Sequence, residues 1–291
     1  MVAARADVVG GGPELCGKAS PIMTDSPLET SAPRLRALVT GASSGIGVGF
    51  ARALAARGTD LVLVARTAPV MEALATELAA KHRVRVDVVP ADLARDGAVD
   101  EIVAEVAARG IEIGTLINNA GFATHGFFAE LDAARERDEV AVNVVAVAAL
   151  ARAFLPAMVA RGSGGIINVG STASFQPVPY MATYGATKAF VLSFSEALAE
   201  EVREHGVHVV ALCPGQTSTA FFTDIEESRV GSARSVEQVV ATGLRALETG
   251  RVVAVDGIAN AMMSGSVRVA PRSVVRRIAA RLQRPSSLKP R

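Results

Sequence analysis

Tyr184 and Lys188 stand four residues apart in Tyr184-Gly185-Ala186-Thr187-Lys188, so on a helix their side chains share one face. A tyrosine can pass a proton near neutral pH only if its phenol, ordinarily at about pKa 10, is brought down. A neighbouring ammonium favours the phenolate and works in that direction. Ser171, 13 residues before Tyr184, could donate to a carbonyl oxygen and hold it for hydride delivery. Asn143, polar within an apolar run, could interrupt its helix and anchor a water that relays protons to Lys188. Its plain alternative is a hydrogen-bonded core asparagine. Tyr-x-x-x-Lys is common by chance; the second tyrosine, Tyr180, competes, but its i+4 neighbour is Tyr184 and not a lysine.

A second group of residues reads as a dinucleotide cradle. Thr40-Gly41-Ala42-Ser43-Ser44-Gly45-Ile46-Gly47 lies between an apolar run and a helical pattern, with glycines spaced more widely than in G-x-G-x-x-G. Glycines at 41, 45 and 47 permit a tight turn, a close backbone approach to pyrophosphate and close helix packing, while Ser43, Ser44 and Ile46 lie at the helix N-terminus and its donors. The alternative is a flexible strand-helix loop. Arg66, 19 residues beyond Gly47, takes the place where an acidic residue would bind ribose hydroxyls, and its guanidinium suits the 2′-phosphate of NADP. NADP is favoured and NAD is not excluded; a solvated arginine is the alternative. Asp92-Leu93 and Asn118-Asn119-Ala120-Gly121 follow further strands and flank the same crevice. Asp92 can accept from an adenine amine, the asparagines can hold strands in register, and Gly121 leaves room for the ribose. A helix N-cap for Asp92 and a plain turn for the second motif remain open.

These residues must be held by elements that alternate. Ala37-Leu38-Val39, Leu61-Val62-Leu63-Val64, Val84 to Val88, Thr115-Leu116-Ile117, Ile166 to Val169, Val207 to Leu212 and Val252 to Val255 read as seven strands. Helical patterns lie between them, including a long one from about Ala133 to Arg161 and one from about Thr183 to His205. Ser235-Val236-Glu237-Gln238 resembles a capping box that opens a helix to about Leu247. Continuous apolar strands alternating with helices predict an α/β fold, a doubly wound parallel sheet of Rossmann type with about seven strands and helices on both faces. Residues 1–33 read as an unstructured leader, within which Met23 is a second candidate start, residues 34–257 as one catalytic domain, and residues 258–291 as a basic extension.

Taken together, these motifs resemble the short-chain dehydrogenase/reductase family in its single-domain form, from about Leu35 to Gly257. The glycine motif, Asn-Asn-Ala-Gly, a serine 13 before Tyr-x-x-x-Lys, and Pro214-Gly215 after the sixth strand occur in the family's order. The resemblance implies a catalytic tetrad of Asn143, Ser171, Tyr184 and Lys188. Tyr184 would be the acid/base, Ser171 the polariser, Lys188 the ribose ligand that lowers the tyrosine pKa, and Asn143 the holder of the relay water. It also implies that Pro214, Gly215, Thr217 and Thr219 order the nicotinamide and pyrophosphate. The implied activity is transfer of hydride between NADP(H) and a ketone or secondary alcohol carbon, with a 3-oxoacyl or other lipid-linked substrate ahead of small ketones and steroids. Dimers or tetramers packed through the helices near Ala133 and Thr183 are implied as well.

Composition sets limits. Half of the 291 residues are apolar, and 30 basic side chains nearly cancel 29 acidic ones, so no whole-chain field attracts nucleic acid. From Gly257 to Arg291, however, there are eight basic residues and no acidic one. Val274, Val275, Ile278 and Leu282 make an apolar stripe there among Arg276, Arg277, Arg281 and Arg284. This reads as an amphipathic element at a membrane surface, an acyl carrier or the entry to a lipid-binding cleft, or as a helix packed on its own domain. Phe127, Phe128, Phe221 and Phe222 could line an apolar pocket or belong to the core, and His125 reads as a solvated loop histidine. Two cysteines, Cys16 and Cys213, give no disulfide framework or metal site, and Cys213 reads as a buried apolar residue. No secretory signal and no transmembrane segment are expected, which points to the cytoplasm.

Overall fold

Apolar runs without alternation cannot leave either face in water, so each becomes a strand covered on both sides. The computed structural model, which describes residues 34–218 and 233–285, joins seven of them in one parallel sheet. They are β1 (Arg36–Thr40), β2 (Leu61–Ala65), β3 (Val86–Pro90), β4 (Ile113–Asn118), β5 (Gly164–Val169), β6 (Val207–Cys213) and β7 (Val253–Val255). Their order is β3-β2-β1-β4-β5-β6-β7. The chain therefore winds outward from β1 to β3 and then crosses back to β4. The carboxyl ends of β1 and β4 flank the point where the winding reverses, which is where such sheets bind ligands.

Side chains of successive strand residues face opposite ways and feed two cores. Ala37 and Val39 of β1 join Phe50 and Leu54 of α1 (Gly45–Ala56), Met71 and Leu78 of α2 (Ala68–His82), and Val240 and Leu244 of α7 (Val236–Glu248). Leu38, between them, joins Ile102 of α3 (Ala98–Ala108), Leu150 and Phe154 of α5 (Ala146–Arg161), and Leu198 of α6 (Ala182–Glu201). The expected capping box forms: Ser235 Oγ accepts from the Gln238 amide and Gln238 Oε1 accepts from the Ser235 amide.

The long helix predicted from Ala133 to Arg161 is present but not uniform. α4 (Ala133–Val140) passes through a π turn at Ala141–Val145 before α5 begins. Asn143 sits in that turn, where a widened helix commonly marks a functional position. By length and hydropathy this is the one described helix that could cross a membrane. In the fold its Val147, Leu150, Phe154 and Met158 are buried in the domain.

The extension holds two helices rather than one, α8 (Ile258–Val269) and α9 (Arg272–Gln283). α8 escapes a pattern reading because no regular apolar stripe runs through Ser264-Gly265-Ser266. Of the sequence expectations, the leader, Thr219, Phe221 and Phe222 lie outside the described residues.

Candidate active site

A cleft of about 670 Å³ runs along the carboxyl ends of the strands. One wall is made almost entirely of main chain. Gly41 and Gly45 take positive φ values of 66° and 51°, which side-chain-bearing residues rarely adopt. Gly47 is required for another reason: a Cβ there would stand 2.1 Å from the Gly41 carbonyl oxygen. Ser44, the N-cap of α1, makes no side-chain capping bond, so the first-turn amides of that helix have no side chain in front of them. This cradle fits a pyrophosphate, with backbone donors and a helix dipole facing a space no Cβ enters.

The asparagines of the next motif brace the sheet, as their spacing suggested. Asn118 Nδ2 donates to Asn168 Oδ1 at 2.9 Å and ties β4 to β5, and Asn119 Nδ2 donates to the Thr40 carbonyl at 2.9 Å and ties β4 to the glycine loop. Gly121 makes room, but for protein atoms: a Cβ would lie 2.9 Å from Asn143 Oδ1 and 3.4 Å from Lys188 Nζ. Asp92 lines the cleft while its Oδ1 accepts from the Ala94 amide at 3.1 Å, so the turn-capping role and the cleft position coexist. Arg66 is exposed at the same rim, beside Ala65. Ser43, Ile46, Leu93, Ala120, Pro214, Gly215 and Thr217 also line the cleft.

Ser171, Tyr184 and Lys188 converge on the opposite side of this space. Tyr184 and Lys188 are both buried on α6, with Lys188 Nζ 5.8 Å from the centre of the phenol ring. Lys188 Nζ donates to the Val169 carbonyl at 2.8 Å. Ser171 caps a short 3-10 turn, Thr172–Phe175, by accepting from the Ala173 amide at 3.1 Å. Its hydroxyl proton remains for Tyr184.

The electrostatics depart from expectation. Burial pushes the Tyr184 phenol up to about 12, and what opposes this is the hydrogen bond from Ser171 rather than the lysine. Burial likewise pulls Lys188 down to about 8. Desolvation of the two groups outweighs their mutual field.

Asn143 spends its side chain on struts. Nδ2 donates to the Phe122 carbonyl at 2.9 Å and to Thr187 Oγ1 at 3.1 Å, while Oδ1 accepts from the Phe122 amide at 3.2 Å. It therefore locks the chain after β4 to α6 at the residue immediately before Lys188. Tyr180 settles its competition with Tyr184 by position, since it takes a positive φ of 67° in the preceding turn and does not line the cleft.

The substrate side corrects the sequence reading. Phe127 and Phe128 neither line the cleft nor join the core; they are 49% and 61% exposed where a 3-10 turn at Phe128–Glu130 carries them outward. The apolar wall is instead Val178, Met181, Met263 and Leu282, the last two from the extension. His125 is not a solvated loop residue: its Nε2 is 2.9 Å from the Gln283 carbonyl oxygen and pins the end of α9 over the loop. The extension is also tied at its start. Asp256 pairs with Arg234 at 2.9 Å and accepts from Thr242, and Asn260 Nδ2 donates to its carbonyl at 2.7 Å. Gly215 packs so tightly there that a Cβ would meet Asn260 Nδ2 at 2.3 Å. No local motif announces these contacts, because each joins distant parts of the chain.

Comparison with known proteins agrees with this geometry. The chain is 34% identical over 187 residues to a very-long-chain 3-oxoacyl-CoA reductase of Bos taurus, covering 63% of this chain and 59% of that protein. It is 34% identical over 201 residues to hydroxysteroid dehydrogenase-like protein 1 of Gallus gallus, covering 68% of this chain and 60% of that one. The chain thus spans about 60% of the length of these curated relatives. Among solved structures, a short-chain dehydrogenase from Sphingobium yanoikuyae in complex with NADPH matches with a TM-score of 0.75 at 32% identity, over 88% of this chain and 98% of that one. A bulky-bulky ketone specific alcohol dehydrogenase from Comamonas testosteroni matches with a TM-score of 0.72 at 31% identity, over 88% and 97%. The family model for short chain dehydrogenase matches residues 36–230, and with the cradle and the Ser171-Tyr184-Lys188 cluster in their places the chain belongs to the short-chain dehydrogenase family.

Proposed function

We propose that this protein is an NADPH-dependent carbonyl reductase whose substrate is an acyl or lipid-like ketone of the 3-oxoacyl type. The observation that carries the reading is the meeting, in one cleft, of a main-chain pyrophosphate cradle with Ser171 and a buried tyrosine and lysine. NADPH, when bound, supplies the hydride. The protein holds and polarises the acceptor. Ser171 donates to the substrate oxygen, and Tyr184, whose phenol is pushed up to about 12, keeps a proton to give to that oxygen as charge develops on it. Lys188 and Asn143 hold the tyrosine helix against β5 and the chain after β4. A high phenol pKa favours reduction at neutral pH and oxidation only under alkaline conditions.

Arg66 supports the choice of NADPH, because an exposed guanidinium beside Ala65 can pair with a 2′-phosphate where no carboxylate competes for the ribose. The acyl substrate rests on the apolar wall of Val178, Met181, Met263 and Leu282 and on the similarity to 3-oxoacyl-CoA reductases. Small ketones and steroids are the alternative, favoured by the likeness to a bulky-ketone alcohol dehydrogenase. The test is oxidation of NADPH and of NADH with 3-oxoacyl-CoA thioesters, steroids, diketones and aldehydes. NADPH-dependent turnover of the thioesters, reduced about a thousandfold in Tyr184→Phe, is expected. Equal turnover with NADH or full activity of the variant overturns the reading.

Two partner relations accompany this activity in our reading. Val140, Val145 and Phe190 are exposed along α4 to α6, the faces through which a homodimer would pack. On α9, Val275 and Ala279 are buried, while a second stripe of Val274, Ile278 and Leu282 is exposed at 44%, 53% and 59%. Arg272, Arg276, Arg277 and Arg281 beside it form no ion pair among the described residues. An anionic bilayer suits such a surface, and an isologous second copy does not, since it would set arginine against arginine. Binding to phosphatidylglycerol vesicles at low salt, lost in Ile278→Glu, is the expected outcome, and absence of binding sinks the idea. We place this activity on the cytoplasmic side, in keeping with a sequence of only two cysteines.

A further inference from the structure

Behind the catalytic cluster lies a carboxyl group that the mechanism above does not use. Glu139, in the last turn of α4 and one turn before Asn143, is fully buried. Its Oε2 accepts from the Thr124 amide at 2.9 Å and lies 2.7 Å from Thr124 Oγ1, while Oε1 has no partner among the described residues. Glu136, one turn earlier and only half-buried, meets the same Thr124 hydroxyl with one oxygen and the Thr183 hydroxyl with the other. Thr183 immediately precedes Tyr184.

A threonine hydroxyl has one hydrogen, and an ionised carboxylate can only accept. Thr124 Oγ1 stands between oxygens of two carboxyls, so its single hydrogen satisfies one of them. The other contact requires a hydrogen on a carboxyl. Glu136 has both oxygens engaged and is reached by water. Glu139 is sealed off with an oxygen that nothing among the described residues satisfies, the arrangement in which a full negative charge costs most. The proton therefore belongs to Glu139, which donates to Thr124 while Thr124 donates to Glu136. Burial raises the Glu139 pKa by more than its contacts with Thr124 lower it.

We propose that Glu139 works as a protonated, neutral carboxylic acid behind the catalytic pair, and that loss of its proton sets a negative charge against formation of the Tyr184 phenolate. The charged and titratable groups around it are Glu136 from its own helix and Tyr184 and Lys188 from α6. His125, next to Thr124, is turned toward Gln283. A neutral Glu139 sets no charge against the phenol. An ionised Glu139 disfavours a second negative charge beside it, raises the tyrosine further and keeps the phenolate from forming, so alcohol oxidation is held back while proton donation to a ketone is not. Glu139 is thus a positioning residue that fixes the chain after β4 through Thr124 and biases the direction of turnover. The proposal rests on the assignment of Tyr184 as the acid, and the experiment separates the two.

Infrared difference spectroscopy on the folded wild-type protein in H2O and D2O at neutral pH reads the proton directly and needs no substrate. A protonated-carboxyl carbonyl band that is absent in Glu139→Gln and shifted in Thr124→Val is expected. The second variant keeps the assignment open to test if the first fails to fold. In parallel, the pH profile of kcat/KM for oxidation of a 3-hydroxyacyl-CoA by NADP+ is compared in wild type and Glu139→Gln. The alkaline rising limb should move down by about one pH unit in the variant, because an amide carries no charge to disfavour the phenolate. A wild-type spectrum without the band overturns the proposal, as do superimposable rising limbs. If the thioester is not turned over, the substrate reading fails and the infrared result alone decides the state of Glu139.

Discussion

The two walls of the cleft are built on opposite plans. The cofactor wall is backbone: positive-φ glycines, a helix end without a side-chain cap, and asparagines that join adjacent strands. The substrate wall is side chains brought from four distant segments, the chain after β4, α4, the turn before α6, and the extension. A wall made of main chain tolerates almost no substitution at its glycines, because nothing in it can move aside. A wall made of side chains can change shape one residue at a time while the cofactor stays where it is.

The sharpest way to break this contrast is Gly47→Ala. Its methyl would stand 2.1 Å from a carbonyl oxygen, with main chain and not a flexible side chain in the way. A loss of about 3 kcal/mol in chemical denaturation, of the size overpacking causes, and at least a tenfold rise in the NADPH Kd by fluorescence titration are expected. A variant that binds normally would show that the cradle can relax. A smaller, selective effect is expected from Leu282→Ala. Removing a half-exposed leucine from the rim forfeits about 1 kcal/mol of apolar contact. The KM for long acyl thioesters should then rise about fivefold, with the NADPH Kd unchanged. If the cofactor Kd moves as well, the walls are not independent.

The smallest effect lies in pH. Lys188 is held down at about 8 against an ordinary 10.5. Between these values the unfolded chain binds the proton that the folded chain has released, so stability rises with pH. The Tm of the wild type relative to Lys188→Met should therefore increase from pH 8 to pH 10. A constant difference would show that the buried lysine is not desolvated as its surroundings imply.

The same division explains what could be read in advance. The sheet, its seven strands and the cofactor wall follow from signals within a few residues: apolar runs, glycines placed after a strand, a tyrosine and lysine one helical turn apart. Even the interruption at Asn143 is visible as a polar residue in an apolar run, and it becomes a π turn. The substrate wall has no such signature. Glu139 abuts the apolar run that begins at Val140 and looks like the last charge of a solvated turn, yet the fold buries it. Phe127 and Phe128 have the composition of a pocket and face water, whereas Met263 and Leu282 look like parts of a tail and line the cleft. The effect of burial on Tyr184 and Lys188 was also out of reach, because spacing on a helix gives proximity but not dehydration.

His125 holds the end of α9 by a main-chain oxygen, that of Gln283, and not by any side chain. Such a latch is indifferent to which amino acid occupies the position it grips. The extension can drift in sequence, exchanging the residues it presents to the cleft, while its closing contact is inherited unchanged. That is a route by which one scaffold acquires new substrates without having to reinvent how the extension is fastened.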